Sequence, residues 1–136
     1  MTGGEMETYL FERIKTLAPP ISGKVYYRGT RPVQNDRNTG TEDCVVAVTT
    51  GTGLQIEKGT CVVNIYIPDI RVASGMFIYD KSRCDAVGRW LDTLPDTLTA
   101  MGDVKFERNS MVLTLPEENL KEHFVSLKMD FKLLET

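Results

Sequence analysis

The side chains with most to offer a partner are Tyr26, Tyr27, Arg28, Arg31, Asp36 and Arg37. Arginine brings a planar fork of donors and tyrosine a broad amphipathic ring. The mixture therefore suits a protein interface, and it would also suit a single-stranded nucleic acid. The same residues are equally compatible with the solvated stem of a loop. His123 is the only histidine. A His-dependent triad needs an orienting acid and a nucleophile, and the sequence identifies neither. The carboxylate pairs Glu42-Asp43 and Glu117-Glu118 sit beside turns, where acids serve solubility and local capping. Acid–base catalysis would require a cleft that separates their pKa values.

Gly51-Thr52-Gly53 is the one glycine-rich loop to test as a phosphate cradle. Such a cradle lies between a strand and a helix, whereas here a strand follows, so a hairpin turn is expected. Cys44, Cys61 and Cys84 match neither a disulfide framework nor a paired zinc site, and they read as buried reduced thiols. No metal and no cofactor is expected.

Around these residues stand the elements that must position them. Val125, Leu127, Met129, Phe131 and Leu133 alternate with Ser126, Lys128, Asp130 and Lys132, so His123 to Leu134 is expected to be a half-buried strand. Met6, Tyr9, Leu10, Ile14 and Leu17 recur at helical spacing, predicting a first helix from Met6 to Ala18 that Pro19-Pro20 stops. Gly23 to Pro32 reads as a short extended piece, and Val33 to Asp43 as a long polar loop, functional or flexible. Cys44 to Thr50 and Leu54 to Ile67 read as an antiparallel hairpin, the second strand broken or bulged near Lys58-Gly59. A second helix is expected from Met76 to Leu94, with Trp90 as a core anchor and Pro95 as its stop. Val104 to Glu107 and Met111 to Leu115 complete the strands.

The order is α-β-β-β-α-β-β-β: one α+β domain over residues 1–136, with two helices packed on one face of a largely antiparallel sheet. At 136 residues the chain can bury roughly two-thirds of its unfolded surface. With 41% hydrophobic and 26% charged residues it has the balance of an ordinary globular domain. Its net charge of −3 argues against a general nucleic-acid binder, although a local basic patch is compatible with it. No apolar run is long enough to span a bilayer, and Met1 to Glu5 does not read as a secretory signal.

Taken together, ETYLFERIKTLAP, then GKVYYRGTRP, a polar loop, CVVNIYIPD, RWLDTL and the closing HFVSLKMDFKLLE resemble the tail completion or tail terminator proteins of long-tailed bacteriophages and prophages. That group includes small head–tail joining proteins. The resemblance implies a structural subunit without catalytic residues. It implies a homo-oligomeric ring, commonly a hexamer, at the head-proximal end of the tail, which meets tail-tube and head-connector proteins. It implies no membrane and no specific nucleic-acid binding, with a place in the bacterial cytoplasm during assembly and in the tail or neck of the virion. Two other readings stand beside it: a monomeric or dimeric adaptor of a mobile element, and a small α+β enzyme.

Overall fold

Met6, Leu10 and Ile14 fall on one side of the first helix, and all three are fully buried in the computed structural model, which describes residues 1–33, 38–51 and 57–134. This helix, α1, runs Gly3–Leu17. Thr2 and Glu5 cap each other reciprocally at its start, which satisfies amide donors that the first turn leaves open. Ala18 takes the left-handed cap conformation, at φ 51°, just before the prolines.

Three strands and a short extra pair precede the second helix. They are β1 (Val25–Tyr27), β2 (Asp43–Gly51), β3 (Lys58–Pro68), β4 (Ile70–Arg71) and β5 (Phe77–Ile78). The second helix is α2 (Lys81–Ala100), and β6 (Val104–Arg108), β7 (Leu113–Glu117) and β8 (Glu122–Leu133) follow it. The main sheet has the order β1-β2-β3-β8-β6, and β7 pairs with the other half of the same β8 edge. β1 runs parallel to β2, and every other pairing is antiparallel. The α+β architecture read from the pattern is therefore present, with the two-stranded sheet β4-β5 as an addition.

Alternation fixes the two faces. Cys44 and Val46 on β2, Cys61, Val63, Ile65 and Ile67 on β3, and Val125, Leu127, Met129 and Phe131 on β8 are all buried on the inner face. α1 rests against β1 and β2, while α2 rests mainly on β6 and β8, so both helices cover this face. Each fully buried Val, Leu or Ile side chain stabilises the fold by about 1.5–3 kcal/mol relative to exposure.

Three sequence expectations need correction. α2 begins at Lys81, with the Asp80 side chain accepting from the Arg83 amide, so Met76 and Tyr79 lie before the helix. Pro95 does not end it, because the helix continues to Ala100. A proline inside a helix costs about 3 kcal/mol through the lost bond and its ring clash. Leu91, Leu94 and Leu98, at most 1% exposed, bury their side chains around it, and that burial outweighs the cost. The bulge lies on β2, between Val48 and Thr50, rather than on β3. Gly59 faces it across the ladder, where a side-chain Cβ would come within 2.1 Å of the Thr50 carbonyl oxygen. β2 and β3 pair as the expected hairpin, and residues 52–56 of its turn lie outside the described residues.

Candidate interaction surface

The predicted recognition cluster divides. Tyr26 is half-buried and pairs with Val45 on the outer face of the sheet, the face away from the helices. Tyr27 points the other way and stacks on Phe11 of α1, with ring centroids 4.2 Å apart and planes at 15°. Arg28 is exposed. Asp36 and Arg37 lie outside the described residues. Arg31 turns its side chain inward, leaving 8% of it exposed.

Arg31 lies across the outer face of the three central strands. Its Nη1 and Nη2 donate to Glu122 Oε1 and Oε2 at 2.7 and 2.9 Å, and its Nε donates to Asp43 Oδ2 at 3.0 Å. The guanidinium sits 4.3 Å above the Tyr66 ring. Asp43 heads β2, Tyr66 is its partner on β3, and Glu122 opens β8. One side chain thus fastens the segment after β1 to strands far away in sequence. Asp43 is 1% exposed, so it is not the surface acid that its place beside a turn suggested. Burial alone would raise the Asp43 carboxyl. Hydrogen bonds from Thr39, Arg31, Thr41 and the Lys24 amide outweigh burial and hold it below its ordinary value.

The described part of the polar loop is tied to the same place. Thr39 and Thr41 hydroxyls lie 2.7 and 3.0 Å from the Asp43 oxygens, and Asn38 Nδ2 donates to the Leu120 and Lys121 carbonyls at 3.0 Å. Glu42 turns outward to Arg83 of α2, whose Nε and Nη2 each donate to it at 2.7 Å.

His123 has an orienting acid after all. Its Nδ1 lies 2.7 Å from Asp69 Oδ1, and the Tyr79 ring lies against it, tilted by 31° with centroids 4.4 Å apart. A His–Asp pair of this kind could move a proton. The open depression of about 410 Å³ beside it is lined by Gly75, Met76, Phe77, Pro116, Glu117 and Lys121, among others. Among the described residues no serine, threonine or cysteine lines it, so it holds no hydroxyl or thiol nucleophile beside His123. Among the described residues no cluster of His, Cys, Asp and Glu could hold a metal ion. No described helix is long and apolar enough to cross a membrane.

That depression lies between two exposed apolar features. The β4-β5 hairpin presents Ile70, Met76, Phe77 and Ile78, with Met76 65% exposed. The segment leading into and along β7 presents Met111, Leu113 and Leu115, with Met111 69% exposed. At the other edge of the sheet, beside β1, Phe11, Pro19, Ile21 and Val25 line a groove of about 330 Å³. Sequence reasoning missed the hairpin because strands of two residues have no readable period. No protein-family model matches this chain, and no curated protein matches its sequence.

Proposed function

We propose that this chain is an assembly subunit that acts through protein–protein contact. The observation that carries the reading is the group of exposed apolar side chains on the β4-β5 hairpin, Ile70, Met76, Phe77 and Ile78. Isolated exposed apolar residues are ordinary, whereas a contiguous group of them marks a contact surface. A hairpin with two residues per strand is not stable by itself, and its exposed Ile70, Phe77 and Ile78 gain burial when covered.

The hairpin and the β1 groove lie on opposite sides of one sheet. Contact between unlike surfaces of identical copies closes into a ring when the rotation permits. That geometry, taken with the sequence resemblance, supports a ring-forming subunit at the head-proximal end of a phage or prophage tail. There it would stop tube growth and meet the head connector, forming in the host cytoplasm and ending in the virion neck. Among the described residues, no serine, threonine or cysteine in the His123 depression completes a triad with His123 and Asp69.

The test is light scattering on the purified chain over a wide concentration range, alongside the double variant M76D/F77D. The expected result is a closed oligomer for the native chain and a folded monomer for the variant. A dimer through the same hairpin would favour the adaptor reading. A native chain that stays monomeric even at the highest concentration, matching the variant, would overturn self-assembly.

A further inference from the structure

Lys58, Lys132 and Lys105 stand directly opposite one another on β3, β8 and β6, in register and on the outer face. Neighbouring strands lie about 4.7–4.9 Å apart, so three ammonium-bearing stems rise side by side over roughly 10 Å. Like charges placed directly across a ladder destabilise a sheet. Lys105 is relieved by Glu107 at 2.9 Å, while Lys58 and Lys132 make no ion pair among the described residues. Asp130, one row further along β8, accepts a hydrogen bond from Asn109 instead.

The three lysines line one open depression of about 440 Å³, together with Gly59, Thr60, Glu107, Asp130 and Phe131. The depression is open to solvent rather than enclosed. Such a trough has no enclosed pocket for a small ligand, but it can seat the ridge of an extended polyanion.

We propose that this lysine row is a contact site for the phosphodiester backbone of a nucleic acid, sequence-independent and of modest affinity. Lysine binds phosphate as a point charge, and the three ammonium groups stand in a line that the evenly repeated charges of a phosphodiester backbone can follow. The flanking Glu107 and Asp130 and the net charge of −3 limit the affinity and confine contact to this strip. The inference rests on the register of three side chains and is independent of the assembly reading.

The test is fluorescence anisotropy with a short mixed-sequence DNA duplex, with single-stranded RNA in a second arm and polyglutamate as competitor. Each is run on the native chain and on the triple variant K58Q/K105Q/K132Q. Three neutralised phosphates give a log–log salt slope of about −2.7 on duplex DNA, so a fourfold rise in salt weakens binding about fortyfold. The triple variant should lose that slope while melting no lower than the native chain at low salt, because the like-charge row is gone. A slope confined to the RNA arm, near −2.1, would assign the same chemistry to a single strand. Native binding that is absent at low salt, or unchanged in the variant, overturns the proposal. So does polyglutamate that binds the row more tightly than either nucleic acid.

Discussion

Arg31 and Glu122 are 91 positions apart in sequence, and their guanidinium and carboxylate meet in a two-point contact at 2.7 and 2.9 Å. With Asp43 on the remaining nitrogen, the cluster holds one cation between two carboxylates that are nearly sealed from water. Removing the cation leaves both anions buried. Breaking a buried pair in this way costs about 3–5 kcal/mol, against about 0–1 kcal/mol for an exposed pair. Arg31→Met should therefore lose about 3–5 kcal/mol in urea denaturation. Arg31→Lys should recover only part, since one ammonium cannot reproduce the fork. A loss in the range of an exposed pair would contradict the burial.

The same cluster sets an acid limit. Asp43 has a lower pKa folded than unfolded, so its contribution is fully present above the unfolded value, about 3.9. It is lost as the pH falls from there through the lower folded value. Urea midpoints measured from about pH 6 to about pH 2 should decline most steeply below about pH 4. Asp43→Asn should start from lower stability and decline less over that interval. Parallel declines would assign the acid sensitivity to other carboxylates.

The three thiols should be silent in the native protein. Cys44, Cys61 and Cys84 are at most 1% exposed, and burial first, then neighbouring carboxylates, pushes each up to about 12. The thiolate is the reactive form, so at about pH 8 almost none is present. An aromatic disulfide reagent should label none of them until denaturant is added, and then all three. A fast-reacting thiol in the folded chain would mean that one of the strands or α2 opens locally.

Strand β8 was legible because apolar and polar residues alternate from Val125 to Leu133 and leave one face to bury. The Arg31 cluster was not. Arg31, Asp43 and Glu122 each carry an ordinary local signal for exposure, and only the pairing of β2, β3 and β8 brings their ends under the segment after β1. Pro95 misled for a related reason. Its local effect is that of a helix stop, and burial of Leu91, Leu94 and Leu98 overrides it. The lysines were visible as residues, but their alignment depends on a register that no single strand encodes.

Two glycines separate space from conformation. A Cβ on Gly23 would fall 2.0 Å from Asp43 Oδ1 and 2.4 Å from the Glu42 carbonyl, displacing the carboxylate that Arg31 holds. Gly88 lies inside α2, and a Cβ there would meet Val125 Cγ1 at 3.7 Å and Val112 Cγ1 at 4.0 Å, ordinary contact distances. Gly23→Ala should lose at least about 1–3 kcal/mol through overpacking. Gly88→Ala should gain about 0.5–1 kcal/mol, because glycine inside a helix gives up more backbone freedom than alanine on folding. Urea unfolding of both variants gives opposite signs if these distances govern. A loss at Gly88 would mean that α2 packs against β7 and β8 with less room than the Val112 and Val125 contacts allow.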